Sequence, residues 1–376
     1  MKIPLAAPDI TTLEYRAIRA VLKTGRLALG SYATRFENKL ARLVQRRYAV
    51  ATNSGTAALH LAVRALGLKH GDEVITTPFS FCASANCLLY EGVKPVFVDI
   101  DPKTLCIDPA QIESAITPRT RAILAVDIFG HPANWNALTT IARCHHLFLI
   151  EDACEALGSA LRTPQGRKCC GTFGTISAFA FYPNKQITTG EGGMLLTNNY
   201  RLSQLCRSMA NQGRAGFNGK WLSHIRLGYN YRLDEMSAAL GWVQLRRLPV
   251  ILKRRRRVAR FYTQLLASIP QIQTPSAAPG AFVHWFVYCI RLAPEINRDK
   301  IIAYLQNQGI GCAPYFPPIH LLPFYRSGFG YKPGAFPVTE KIARQTLALP
   351  FYSKLKAEQI DYIVSCLQKA IKQQGV

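Results

Sequence analysis

Between residues 70 and 155, short apolar runs alternate with segments whose hydrophobic residues return at helical spacing. Val74–Thr77, Val96–Asp99, Ala122–Asp127 and Phe148–Glu151 are compact and mainly apolar, the pattern of strands buried on both faces of a mainly parallel sheet. Amphipathic helices are expected between them. One is predicted after Asp108, with Asp108, Pro109 and Gln111 as N-cap, N1 and capping-box N3. The alternation predicts an α/β layered domain.

The pattern changes downstream. From about Leu233 a long helical periodicity runs to about Leu266, followed by proline-spaced segments and short strands such as Phe286–Leu292. A chain of 376 residues exceeds what one core usually supports. The shift therefore suggests a large domain over 1–247 and a smaller C-terminal α/β domain over 248–376, with the N-terminal segment a candidate to pack on the small one. A helix over Ala357–Lys372 should close the chain, because Ile360, Ile363, Val364, Leu367 and Ile371 share one stripe.

Charge is the one unusual feature of composition: 46 Lys and Arg against 22 Asp and Glu give +24. Part of it sits in Lys253–Arg257, with Arg246, Arg247 and Arg260 close by. Polyanions are conceivable partners, yet a charge run on a helix is usually a solvated face, and no nucleic-acid reading module accompanies it. Nucleic-acid binding is not expected. The eleven Cys are scattered without a CxxC pair, so neither a disulfide framework nor a metal site is encoded. Val74–Tyr90, the best candidate for a membrane span, is interrupted by Thr, Ser, Asn and Pro, and the N-terminal residues lack a secretory apolar core. A cytoplasmic location is expected.

Three segments carry candidate chemistry. FAFYPNKQITTGEGGM, residues 179–194, places Lys185 after an apolar β-like run and before Gly190, Gly192 and Gly193, which let backbone pass close to a ligand. Most lysines are solvated surface groups, but a partly desolvated amine can act as a nucleophile toward a carbonyl. NSGTAALHLA, residues 53–62, is a Ser-Gly-Thr turn opening an apolar helix. It reads either as an ordinary Ser-capped helix or as a phosphate site at a helix N-terminus. FLIEDACEALGS, residues 148–159, delivers Glu151, Asp152 and Glu155 to the carboxyl edge of the sheet, where ligands of open α/β sheets bind. Taken alone, Asp152 would more often be a helix cap.

The order phosphate turn, acid, lysine, with these strings, resembles the DegT/DnrJ/StrS-type sugar aminotransferases of pyridoxal-phosphate (PLP) fold type I. The likeness begins with IPLAAPDITTLE at 3–14 and continues through TGRLALG at 24–30 and LGYNYRLDEMSAALGWVQL at 227–245. It ends in HLLPFY at 320–325 and FPVTEKIARQTLALP at 336–350. The resemblance implies that Lys185 bonds covalently to PLP and that Asp152 faces its pyridine nitrogen. Glu155 would lie near its phenolic oxygen, Phe81 would stack on its ring, and Gly55, Thr56 and Ala57 would hold its phosphate. Asn230 matches an asparagine that reaches the neighbouring subunit's phosphate, which implies a homodimer with shared active sites. The reaction implied moves an amino group, usually from glutamate, to a nucleotide-linked keto sugar, with Tyr315 and His320 as candidate sugar contacts. One position departs: many members carry a hydrogen-bonding residue five before the lysine, and here it is Ala180, so weaker or rearranged phosphate binding is expected. Related sugar dehydratases carry His in place of the lysine, and Lys185 argues against that activity. A non-catalytic regulatory or nucleic-acid-binding role has only the +24 charge behind it.

Overall fold

A computed structural model describes residues 2–215 and 223–374. The strands in chain order are β1 (Tyr48–Thr52), β2 (Glu73–Thr76), β3 (Lys94–Phe97), β4 (Thr120–Val126) and β5 (Phe148–Asp152). A hairpin of β6 (Ala160–Thr163) and β7 (Gly166–Cys169) follows, then β8 (Ile176–Ala180) and β9 (Gly193–Thr197). Beyond the long helix come β10 (Ile272–Gln273), β11 (Ala281–Phe282), β12 (Tyr288–Leu292) and β13 (Thr346–Leu349).

Seven strands form the central sheet in the order β1-β9-β8-β5-β4-β2-β3. The steps from β3 through β8 are parallel, while β9 runs antiparallel to both β8 and β1. All four strands expected from the apolar runs are present within two residues of the expected starts. Strand β5 ends at Asp152, so the acid is the last strand residue. The helix expected after Asp108 is not α-helical. Asp108 does cap Ala110, but Pro109–Gln111 and Glu113–Ala115 are two single 3₁₀ turns, too short to lay an apolar stripe on the sheet.

The helix Glu235–Leu266 is continuous for 32 residues. Ala238, Leu245, Leu248 and Ile251 pack into a core with Phe36, Phe179 and Phe181. Val258, Tyr262 and Leu266 pack into a second core with Tyr288, Leu347 and Leu367. The helix thus belongs to both lobes, and the expected boundary near residue 247 lies inside it. The small lobe carries the antiparallel sheet β10-β12-β13 and the C-terminal helix Ala357–Lys372, whose expected stripe is buried. Ile3 joins the small-lobe core; its N–H donates to Gly309 O (2.9 Å) and its carbonyl accepts from Gly311 N (2.8 Å). Most of the basic run is a solvated face, but Arg255 is buried: its guanidinium lies over the Phe351 ring and donates to Phe286 O (2.6 Å). Burial holds its pKa down at about 10. No helix among the described residues is long and apolar enough to cross a membrane.

Candidate active site

The site forms at the carboxyl ends of β5 and β8, because strand alternation sends neighbouring carboxylates of FLIED to opposite faces. Glu151 turns into the fold, where it accepts from Phe173 N (2.7 Å), Gly174 N (3.1 Å) and Ser177 Oγ (2.7 Å). Asp152 turns the other way. Its Oδ2 accepts from Ser84 Oγ (2.7 Å), which touches Ser80 Oγ (2.9 Å), and its Oδ1 accepts from Cys154 N (3.1 Å). These donors fix the orientation of the carboxylate. Phe81 stands between Ser80 and Ser84 in sequence and is 59% exposed, an open aromatic face next to the residues that hold the acid.

Lys185 sits in the turn after β8. Its Nζ is 3.5 Å from Glu155 Oε1 and lies 3.9 Å from the centroid of Phe286. Glu155 also accepts from Phe129 N (2.8 Å). Burial raises the Glu155 pKa, and the Lys185 charge and the Phe129 amide oppose that rise. Gln186 locks the turn by donating to the carbonyls of Glu155 and His284. Burial, and secondarily the Glu155 charge, raises the Tyr315 pKa, so Tyr315 shares this neighbourhood.

The phosphate-turn candidates open the helix Gly55–Ala65, capped by Ser54 Oγ, which accepts from Ala57 N (3.1 Å). The amides of Gly55 and Thr56 donate to no atom among the described residues. Two orphan donors at a helix N-terminus suit an oxyanion. A Cβ on residue 55 would stand 2.6 Å from Ala180 Cβ, so glycine is required for the helix to approach β8. Ala180 brings a methyl group there and no polar atom. Beside Lys185, Asn184 Oδ1 and Gln186 Oε1 are buried without partners among the described residues. An orphan-amide turn, a fixed carboxylate, an open aromatic and a half-buried amine fit the phosphate, ring nitrogen, ring face and carbonyl carbon of PLP.

Two candidates lie elsewhere. Asn230 is exposed and has no hydrogen bond to Lys185, Asp152 or Glu155; its carbonyl accepts from Asn53 Nδ2 (3.2 Å). His320, expected as a sugar contact, is buried in this structure. It has no exposed surface, pairs through Nε2 with Glu340 Oε1 (3.1 Å) and packs edge-on against Phe336. It is a core histidine. Sequence reading missed Ser84, Phe286 and Gln186. Ser84 stood in the string around Phe81, but nothing local pairs it with an acid 68 positions away.

Residues 8–368 match the DegT/DnrJ/EryC1/StrS aminotransferase family. The GDP-perosamine synthase of Escherichia coli O157:H7 is 35% identical over 368 residues, covering 98% of each chain. The crystal structure of DesV of S. venezuelae, in complex with a ketimine intermediate, superposes with a TM-score of 0.89 at 34% identity, covering 97% of this chain and 98% of that one. The structure of NtdA from Bacillus subtilis with bound cofactor PMP gives a TM-score of 0.88 at 32% identity, covering 99% of this chain and 86% of that one. Sequence, fold and site geometry agree, and the chain belongs to the DegT/DnrJ/EryC1/StrS aminotransferase family.

Proposed function

We propose that this protein is a PLP-dependent aminotransferase that moves an amino group from an amino acid, glutamate, to a keto sugar carried by a nucleotide, in glycoconjugate biosynthesis. The observation that carries the reading is the convergence of Lys185, Asp152 and Glu155 on one sheet edge beside the orphan amides of Gly55 and Thr56. The nucleotide-sugar assignment is supported by relatives such as the GDP-perosamine synthases.

PLP, when bound, supplies an electron-withdrawing ring and a carbonyl carbon that takes up and releases nitrogen. The chain's own residues do the rest. Lys185 Nζ holds the cofactor covalently and, once free, carries a proton to and from the reacting carbon. Asp152, fixed by Ser84 and the Cys154 amide, keeps a proton on the ring nitrogen. Phe81 would cover the ring face, Glu155 would face the phenolic side, and the Gly55–Ala57 turn would take the phosphate. Tyr315 is the remaining candidate for the sugar.

The reading includes a homodimer in which Asn230 completes the neighbour's phosphate site. Asn230 is exposed on a segment that also exposes Ile225 (57%) and Leu227 (68%), apolar surface that a second copy would cover. The test mixes Lys185→Ala and Asn230→Ala proteins with verified subunit exchange. One site of each mixed dimer then holds both intact residues, so activity should exceed either parent. Activity no higher than the parental average refutes the shared site, and transamination by Lys185→Ala alone refutes the chemistry.

A further inference from the structure

Asn230 lies between two tyrosines that share an unusual buried anchor. Tyr229 and Tyr231 stack at 4.8 Å and 11°, as residues i and i+2 of an extended segment do when both side chains face one way. The residue between them must then face the other way, and Asn230 is exposed while its neighbours are half-buried. Their hydroxyls end in one cluster. Tyr231 Oη meets His60 Nδ1 (3.0 Å), His60 Nε2 meets Glu91 Oε1 (2.8 Å), and Tyr229 Oη donates to the same carboxylate (3.1 Å). Arg64 closes the cluster on Glu91 Oε2. His60 is buried and packs against Tyr90 as well as both anchored rings. The backbone is pinned beside it, with Asn53 N donating to Tyr231 O (2.9 Å) and Asn53 Nδ2 to Asn230 O (3.2 Å).

We infer that His60, with Glu91, Tyr229 and Tyr231, is a positioning cluster that aims Asn230 outward, into the cofactor site of the second copy. His60 rides on the helix Gly55–Ala65, whose first turn is the chain's own phosphate candidate. One helix therefore serves two sites: its N-terminus in its own subunit, and its His60 face, through the tyrosine pair, in the partner. The inference rests on the shared-site reading above. It adds that a lesion at His60 is felt in trans, although His60 lies five residues from Gly55 in the same chain.

The test reads covalent capture of PLP on Lys185 by borohydride as cofactor concentration is varied, a measure of binding and not of turnover. His60→Leu homodimers should need about tenfold more PLP for half-labelling, the factor that about 1.4 kcal/mol represents. In dimers mixed with Lys185→Ala chains, only the His60→Leu chain can be labelled, and its site receives Asn230 from a chain with intact His60. Its labelling curve should return to that of the wild type. A curve that stays shifted means that His60 acts through its own helix and overturns the inference, as does a homodimer with no shift. If His60→Leu fails to fold, Tyr231→Phe removes one hydroxyl from the cluster and must show the same shift and the same rescue. Asn230→Ala is the control. If it is not rescued by Lys185→Ala chains, the shared site falls and this inference with it; if it is rescued while the His60 and Tyr231 variants are not, this inference alone falls.

Discussion

Replacing Asp9 with Asn should loosen the joint between the lobes. Asp9 is buried at 5% exposure. Its Oδ1 accepts from Arg247 Nη2 (2.7 Å), and its Oδ2 accepts from Arg254 Nη1 (3.1 Å) and Ser353 Oγ (2.7 Å), with Lys354 Nζ at 3.5 Å. One carboxylate thus ties the N-terminal segment to the long helix and to the small lobe. Arg254 and Lys354 are half-exposed, so each contributes about 0–1 kcal/mol. Arg247 is only 13% exposed, and a charged hydrogen bond of that kind contributes about 1.5–3 kcal/mol. The Asp9→Asn variant should therefore lose about 2–4 kcal/mol at neutral pH. These partners, opposing the cost of burial, lower the Asp9 pKa to about 2. A carboxylate depressed in the folded state stabilises fully above its unfolded pKa of about 4 and loses that contribution as pH falls toward the folded value. The gap between wild type and variant should hold from pH 7 to pH 5 and shrink to roughly half by pH 3. Urea unfolding across that range measures it. A gap that is absent at pH 7, or equally large at pH 3, would refute the reasoning.

Further outcomes follow from the site and from buried His320. Asp152→Asn should slow the half-reaction with glutamate by about two to three orders of magnitude while leaving cofactor bound; stopped-flow spectra decide, and near-normal rates would assign the ring proton to another group. Gly55→Ala should weaken PLP binding through its clash with Ala180 Cβ, and the added change Ala180→Gly should restore part of it in an equilibrium titration. His320→Ala should lower the melting temperature, because it strips a partner from buried Glu340, and should leave KM for the sugar unchanged; a selective rise in KM would return His320 to the substrate site.

Strands β2, β3, β4 and β5, the long helix and the C-terminal helix were readable because each is specified by residues adjacent in the chain: a continuous apolar run, a 3.6-residue stripe, a cap. Strands β1 and β9 were not singled out. Their burial is completed by an antiparallel pairing between residues 48–52 and 193–197, a contact that no local periodicity records. The turn after Asp108 misled for the opposite reason, since its capping signals are real but Pro118 follows so soon after Ile112, Ala115 and Ile116 that too few residues remain to propagate a helix.

The site divides along the same line. The sequence by itself determined which groups carry chemistry: an amine after an apolar strand, an acid at a strand end, a glycine turn opening a helix, all in strings that resemble one family. Only the tertiary structure decided what each group meets. It sent Glu151 inward and Asp152 toward Ser84, set Lys185 between Glu155 and Phe286, withdrew His320 into the core, and hung Asn230 outward on two tyrosines anchored at His60. The physical reason is that a side chain's type fixes what it can donate, accept or attack, whereas its environment is made by residues from distant parts of the chain, brought together by packing and not by order along it.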